Sequence, residues 1–349
     1  MKPQPTLLAL SVCMAVAHAA MAAPPAVQGP ESVQDWVNQG RQFIAQGQAL
    51  KPIQTPARNV IFFVGDGMGI STLTAARILE GQLQGKTGEE NRLSFETFPY
   101  LGLSKTYSWD QQTSDSAPTM AAMVTGVKTR EGMLSVTHET ARGECNAAKL
   151  AQTTVPTLLE LAAAKGKATG IVSTARITHA TPAANYAHTP MRDWESDANL
   201  PAGCEVKDIA RQLIEVSPTV RQSLRVVMGG GRTHFLPKAN AAGTVQDPEY
   251  PKQPGKRLDG RDLTQEWLAS RGPQARYVWN KGQFESIEVG KKPQDTPYVL
   301  GLFEPSHLQY EADRAQDPAG EPSLTEMTRK AIQLLEKQPK GYFLQISSC

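Results

Sequence analysis

The sequence contains one run that strongly limits the folds open to it, NVIFFVG at residues 59–65. The run is continuously apolar and rich in β-branched and aromatic side chains, which predicts a strand buried on both faces, as in a parallel sheet. GDGMG follows at 65–69, and residues 71–79 are predicted to form the next helix. Asp66 is thus a carboxylate at the carboxyl end of a strand, where open α/β sheets place their chemistry.

Strand and helix patterns alternate along the rest of the chain. Further strands are predicted at 168–173, 225–228, 298–303 and 341–346, and helices at 31–45, 155–165, 208–214, 263–270 and after the capping box of Ser323 and Glu326. This alternation predicts an α/β fold with a largely parallel central sheet and helices on both faces. Residues 240–260, rich in proline, glycine and polar side chains, are predicted to be an exposed loop insertion.

Residues 1–22 have the pattern of a secretory signal peptide. Lys2 begins a basic region, residues 7–17 are apolar, and small residues at 19–23 offer cleavage sites. The apolar run is too short to span a bilayer comfortably, and no later run reaches the needed length. We therefore expect a periplasmic or secreted protein that leaves the membrane once the signal is cleaved.

Export bears on the cysteines, and the overall charge bears on partners. In an oxidising compartment Cys145 and Cys204 can form a disulfide, which leaves Cys349 unpaired at the end of the chain. The formal net charge is +2 and no basic stripe occurs, which argues against nucleic acid as a partner.

Residues 113–126, TSDSAPTMAAMVTG, place Ser116 at the start of a predicted helix. Pro118 suits a first helical turn and Gly126 suits a C-terminal cap. The unpaired backbone N–H groups at such a helix end attract phosphate and other anions. Taken alone, the pattern favours a simpler interpretation, in which Ser116 only caps the helix.

Three polar groups together favour a chemical site. They are Asp66 between glycines, the triplet Asp115-Ser116-Ala117, and the polar loop at 174–192. That loop contains five candidate side chains, Arg176, His179, Thr181, His188 and Arg192. Two of the three groups directly follow predicted strands, so coincidence is a poorer explanation for the set than for any member.

These motifs, in this order, resemble the alkaline phosphatase family. The resemblance covers NVIFFVGDGMG, the DSA serine, THATPAANYAH, VMGGGR, YVLGLFEP and YFLQI, and so extends from about residue 59 to residue 346. HATPAANYAHT followed by RDWESDANLP is more similar to the animal-type branch than to the enteric bacterial form. The resemblance implies hydrolysis of phosphate monoesters with two Zn²⁺ and one Mg²⁺, and a homodimer in full-length relatives.

The resemblance also implies a role for each matching residue. Ser116 would be the nucleophile that becomes phosphorylated, and Arg192 would hold two phosphate oxygens with its planar fork. Asp66 would bridge the serine-side zinc, which also binds Ser116, and the magnesium. Thr181 would be a magnesium ligand, and His179 would act from outside the ligand shell on a metal-bound water. Independently of the family, no Ser–His pair is evident, so activation of the serine by a metal is the better account.

The sequence departs from the family pattern at its end. Ser347 stands where the resemblance implies a magnesium-binding glutamate, and the remaining zinc ligands would lie beyond Cys349. We therefore interpret residues 23–349 as the N-terminal portion of a single alkaline phosphatase-like domain, truncated and lacking its C-terminal strands, with doubtful activity. Such a sheet is expected to expose an apolar edge, to be poorly stable and to aggregate.

Two alternatives remain open from the sequence. The first is a non-catalytic remnant that keeps Ser116 and Arg192, lacks the zinc ligands and at most binds anions weakly. The second is a related sulfatase or phosphodiesterase. Sulfatases of this superfamily need an arginine four residues after the nucleophile, and Met120 occupies that position here.

Overall fold

The computed structural model describes residues 32–238 and 254–348. The predicted signal peptide, most of the loop predicted at 240–260 and Cys349 lie outside these residues. The chain divides into two compact units, Met1–Ile53 with Met68–Gly102 and Gln54–Gly67 with Leu103–Cys349. The second unit contains the sheet and the candidate site.

A six-stranded sheet forms the centre of the second unit. Its strands are β1 (Val60–Gly65), β2 (Ala168–Arg176), β3 (Leu224–Gly230), β4 (Ala275–Val278), β5 (Tyr298–Leu302) and β6 (Tyr342–Ser348). They lie in the order β1-β6-β2-β3-β5-β4, and every neighbouring pair is parallel. The predicted α/β class with a largely parallel sheet is confirmed.

Helices connect the strands. The first unit contains α1 (Val33–Ala49) and α2 (Ile70–Leu83), and the second contains α3 (Ser116–Thr125), α4 (Ala147–Ala151), α5 (Leu158–Ala164), α6 (Ala180–Ala183), α7 (Ile209–Ile214), α8 (Pro218–Ser223), α9 (Leu263–Arg271), α10 (Lys281–Glu285) and α11 (Leu324–Leu335). The capping box predicted before α11 is present, with Ser323 and Glu326 each bonded to the other's backbone. The sequence did not predict α4, α6, α8, α10 or β4, short elements of four to six residues that lack the continuous apolar runs of the strands that were predicted.

Neighbouring residues of each central strand point into opposite cores. Ile171, Val227 and Leu300 belong to one cluster, which includes side chains of α3, α5, α7 and α9. The residues beside them, such as Val172, pack on the other face against α10 and α11. This alternation follows from the two-residue repeat of a strand. It places helices on both faces of the sheet, as predicted.

Strand β1 corrects one prediction, since it is not buried on both faces. Phe62 and Val64 are half-buried against the first core, whereas Val60, Ile61 and Phe63 are 42%, 37% and 63% exposed. The reason is position: β1 is an edge strand, bonded on one side only, to β6. A continuous apolar run predicts a strand without telling where in the sheet it lies.

Helix α1 confirms the helix predicted near residues 31–45. It begins after Ser32, whose side chain forms a capping box with Asp35. Its apolar side chains Val33, Val37 and Ile44 are all exposed. The helix is thus stabilised locally by its cap rather than by burial of an apolar face.

A disulfide joins Cys145 and Cys204, which are 59 residues apart in the chain. Both half-buried cysteines pack against a small separate cluster that includes Met133 and Trp194. Because the bridge restricts the unfolded chain, we expect Cys145→Ser/Cys204→Ser to lose about 2–4 kcal/mol of unfolding free energy in urea titrations. Cys349→Ser is the control and should unfold like the wild type. Equal midpoints for the double variant and the control would contradict this expectation.

Candidate active site

Helix α3 places Ser116 at its first position. Asp115 precedes it as the N-cap, and its Oδ1 accepts a hydrogen bond of 2.7 Å from the backbone N–H of Ala117. Gly126 ends the helix in the left-handed conformation, at φ 76°. Met120 and Val124 are buried and anchor the helix in the core. The hydroxyl of Ser116 therefore lies at the positive end of a well-anchored helix dipole.

The guanidinium of Arg192 connects the serine with two other side chains. Its Nη1 donates to Ser116 Oγ at 2.9 Å and lies 3.1 Å from Asp115 Oδ2. Its Nη2 lies 2.8 Å from His179 Nε2. The backbone N–H of Arg192 donates to the carbonyl of Gly132 at 2.7 Å, which fixes the base of the side chain. The structure thus brings Ser116, Arg192 and His179 together.

Asp66 and Thr181 form a second pair of predicted site residues. Asp66 directly follows β1, and its backbone N–H donates to the carbonyl of Ser348 at 2.8 Å. The hydroxyl of Thr181, buried in α6, donates to Asp66 Oδ2 at 2.5 Å. Two oxygen-bearing side chains therefore meet at the carboxyl edge of the sheet.

The segment at 174–192 is more ordered and more buried than the predicted polar loop. Its first residues continue β2 as far as Arg176, and α6 follows. His188, which we had grouped with the site, instead lies against Glu160 at 3.1 Å and the carbonyl of Ser135 at 2.8 Å. Although burial opposes it, the Glu160 carboxylate raises the pKa of His188. His188 therefore belongs to a structural ion pair, and the rest of the segment supplies the site.

Sequence reasoning missed a polar cluster beside the site. Arg176 donates to both carboxylate oxygens of Glu195 at 2.8 Å, and its Nη1 lies 2.8 Å from His307 Nε2. His234 lies 3.5 Å from the same carboxylate, and the His307 ring meets the His179 ring edge-on at 5.2 Å. His234 and His307 both follow carboxyl ends of strands, β3 and β5, which is the signal that had identified Asp66.

Burial and neighbouring cations keep the site histidine neutral. Burial, assisted by the guanidinium groups of Arg192 and Arg176, lowers the pKa of His179 to about 4. Its Nε2 is therefore an acceptor for Arg192 at neutral pH, while its buried Nδ1 has no hydrogen-bond partner among the described residues. Burial likewise lowers the pKa of His234 to about 4.

Glu195 should make the stability of the fold depend on pH. Burial alone would raise its pKa, but the hydrogen bonds from Arg176, with His234 and Thr178, lower it from 4.5 to about 2. A lowered folded-state pKa stabilises the protein above about pH 4.5, and this contribution disappears as the pH falls towards about 2.

We therefore expect Glu195→Gln to lose on the order of 3 kcal/mol of unfolding free energy at pH 7 and much less at pH 3. Denaturant titrations at both pH values measure the difference. Glu139→Gln, at an exposed position, is the matched control and should show no such loss. A pH-independent loss in Glu195→Gln would contradict the assigned role of the ion pair.

The donors at the site fit magnesium better than zinc. Asp66 and Thr181 offer two hard oxygen ligands, and Mg²⁺ is commonly bound by one or two carboxylates with water completing its shell. Zinc sites need three or four protein ligands. Of the zinc ligands that the family resemblance implies, the described chain contains only Asp66 and Ser116. Over residues 32–238 and 254–348, no three His, Cys, Asp or Glu side chains are grouped to hold a metal. Ser347, at the position of the expected glutamate, donates instead to Ser173 Oγ at 2.9 Å.

Comparison with known proteins gives a consistent family match. The sequence model of the alkaline phosphatase family matches residues 57–348. The tissue-nonspecific alkaline phosphatases of Gallus gallus and Homo sapiens are each 42% identical, over 331 and 328 residues, or 91% of this chain. Both matches cover 60% of the relative, so the chain spans about three-fifths of the length of these curated relatives.

Solved structures agree on the fold. The alkaline phosphatase of Thermus thermophilus is 27% identical with a TM-score of 0.59, over 86% of this chain and 51% of that one. A cold-active alkaline phosphatase from a psychrophilic Shewanella is 24% identical with a TM-score of 0.57, over 83% and 56%. The second likeness concerns the fold alone. In the described part of this chain, none of the helices is long and apolar enough to cross a membrane.

Proposed function

This chain belongs to the alkaline phosphatase family, and we propose that it carries the nucleophile and phosphate-binding part of a phosphomonoesterase that works through a phosphoserine at Ser116. The observation that carries the proposal is the 2.9 Å hydrogen bond from Arg192 Nη1 to Ser116 Oγ at the start of α3. A nucleophile and an anion-binding fork lie side by side there. The substrate class is phosphate monoesters.

The geometry supports a two-step displacement. An entering phosphate monoester would meet the N-terminal end of α3 and the guanidinium of Arg192, both of which attract anions. Ser116 Oγ would then bond to phosphorus as the ester oxygen leaves, and water would displace Oγ in the second step. Over both steps one water is consumed, and an alcohol and phosphate are released. Asp115 and His179 hold the Arg192 fork in position for both steps.

We propose that Asp66 and Thr181 hold Mg²⁺, since both offer oxygen donors at one point. When bound there, the ion would supply positive charge at the carboxyl edge of the sheet. The family resemblance implies two Zn²⁺ as well. Because the described residues offer only Asp66 and Ser116 for zinc, we assign no step to zinc and propose that turnover by these residues alone is slow.

Trapping the phosphoserine tests the proposal directly. The purified chain, supplied with Mg²⁺ and Zn²⁺, is incubated with a generic aryl phosphate, quenched in acid and digested for mass spectrometry. We expect phosphate on the peptide that contains Ser116. The Arg192→Lys variant should carry less phosphate there than the wild type, because a lysine cannot bind two oxygens in parallel. Phosphate on another residue, or hydrolysis without a phosphorylated peptide, would overturn the proposed role of Ser116.

A second candidate is an anion-binding protein without turnover. The observation in its favour is that Arg192 contacts the start of α3, while the described residues offer only Asp66 and Ser116 of the zinc ligands that the resemblance implies. Calorimetric titration with Zn²⁺ tests this second candidate, because two oxygen ligands should bind zinc weakly. Tight stoichiometric zinc binding would exclude this second candidate. A sulfatase is disfavoured because Met120, where its arginine would stand, is buried in the core.

The remaining expectations concern location and assembly. We propose that residues 1–22 act as a signal peptide, so that the mature protein is periplasmic or secreted and free of the membrane. We also propose that the full-length relatives of this chain form homodimers. Comparing the mass of the exported chain with that of the cytoplasmic precursor tests the first statement, and the molar mass in solution tests the second.

A further inference from the structure

A cationic cavity lies at the edge of the sheet opposite the candidate active site. Its volume is about 310 Å³, and it adjoins the amino ends of β2 and β3, whereas Asp66 and Arg192 belong to the carboxyl edge. Six side chains define it chemically, Lys167, Arg225, Lys340, Thr219, Gln222 and Ser223. None of the described lining residues is acidic.

Two of the three cations, Lys167 and Arg225, are held in place by neutral groups. Lys167 Nζ donates to the carbonyls of Arg58 at 2.5 Å and Lys340 at 3.1 Å. Arg225 Nη1 donates to the carbonyl of Thr296 at 3.2 Å, and its guanidinium stacks 4.0 Å above the Tyr298 ring. In the described part of the chain, neither side chain forms an ion pair with a carboxylate. Their positive charge is therefore positioned but not neutralised.

Gly166 leaves room for Lys340 in the same space. Gly166 has φ +73° and carries no side chain, and a Cβ built on it would lie only 2.9 Å from Lys340 Nζ. The ammonium group thus lies against the turn between α5 and β2, beside Lys167. Thr219, Gln222 and Ser223 face the cations from α8, where their spacing of three and four residues places them on one side of the helix.

Arg271 is a further cation near Tyr298, the ring on which Arg225 stacks. Arg271 stacks on Trp267 at 3.4 Å, and its buried Nε and Nη2 have no hydrogen-bond partner among the described residues. Burial and the neighbouring Arg221 lower the pKa of Arg271 to about 9, which reflects cations gathered without anions. Buried or half-buried charges are normally paired, so this edge of the sheet lacks a counter-ion.

We propose that this cavity binds a small oxyanion, of which inorganic phosphate is the test case. Two ammonium groups, one guanidinium, the hydroxyl of Thr219 and the side-chain amide of Gln222 supply charged and neutral donors for a tetrahedral anion. The cavity size suits a single such ion with its water. The site is separate from Ser116, and the proposal does not depend on the proposed function.

Calorimetric titration with inorganic phosphate tests the proposal on the full chain. We expect a binding event that survives Arg192→Ala, which removes the anion-binding side chain of the candidate active site. Lys340→Gln should weaken this event about tenfold, because a charge-assisted hydrogen bond is lost. Lys165→Gln, an exposed lysine that does not line the cavity, is the matched control and should leave the affinity unchanged. Equal affinities in both lysine variants, or loss of all phosphate binding in Arg192→Ala, would overturn the proposal.

Lysine labelling of the wild-type protein locates the ion without any variant. Saturating phosphate or sulfate should slow acetylation of Lys167 and Lys340 severalfold and leave that of Lys165 unchanged, as measured by mass spectrometry. Unchanged rates at Lys167 and Lys340 would contradict the site. Vesicles of phosphatidylglycerol form the last arm. Protection by vesicles but not by either free ion would show a membrane-binding surface and overturn the proposal of a small-ion site.

Discussion

Ser116→Ala is expected to reduce hydrolysis of an aryl phosphate to the level of the uncatalysed reaction, a loss on the order of 1,000-fold or more from the wild-type rate. The reason is that no other hydroxyl is both hydrogen-bonded to Arg192 and placed at the start of α3 in the described chain. Initial rates with Zn²⁺ and Mg²⁺ at alkaline pH measure the effect.

Ser114→Ala provides the matched control for that variant. Ser114 lies two residues earlier, and within residues 32–238 and 254–348 its hydroxyl donates only to the carbonyl of Asp115, at 3.4 Å. The control should keep the wild-type rate within about twofold, because surface changes without a structural role have small effects. Wild-type turnover in Ser116→Ala would remove this serine from the mechanism, whereas equal losses in both variants would point to damage of the loop.

Arg257→Met is expected to destabilise the fold by about 3–5 kcal/mol. The Arg257 side chain is 0% exposed, and its guanidinium pairs with Asp208 at 2.9 Å and with Asp259. Asp208 is 1% exposed and also caps α7, accepting from the Arg211 backbone N–H at 2.9 Å. Removing the arginine therefore leaves a buried carboxylate without its counter-charge. Urea titration at pH 7 measures the loss.

Two further variants define what that loss means. Arg329→Met makes the same chemical change at an exposed position of α11 and should alter stability by less than about 0.5 kcal/mol. Arg257→Met/Asp208→Asn should recover part of the loss, since the orphaned charge is then removed. A single variant as stable as the control would show that the buried ion pair contributes little.

Most strands of the sheet could be predicted from the sequence because each of them is a local apolar run. The runs at β2, β3, β5 and β6 are apolar on both faces, as strands between two helical layers must be. The same signal misled at β1, because edge and central strands can share a composition and differ only in their neighbours. Strand β4, ARYV, was missed since four residues with an exposed arginine carry too little pattern.

The candidate site could be predicted only where its residues lie in motifs that the family resemblance covers. Taken alone, Ser116 favours a helix cap, and its proposed role and that of Arg192 came from the resemblance. Glu195 and His307 were not predicted, because they join the site only through contacts with Arg176, which lies 19 and 131 residues away in the chain. Applying the strand-end rule to β5 as well as β1 would have suggested His307, whereas nothing local identifies Glu195.

The edge position of β1 gives the two halves of the site different local stabilities. Ser116 belongs to a helix anchored in the main core, whereas Asp66 is carried by a strand with one hydrogen-bonded side and an exposed apolar face. Opening of β1 alone would separate Asp66 from Thr181 while the nucleophile stays in place. Amide exchange should therefore be faster along β1 than along β2. Binding of a metal ion by Asp66 would then stabilise the edge strand against local opening, so that ion binding and the stability of the fold are coupled.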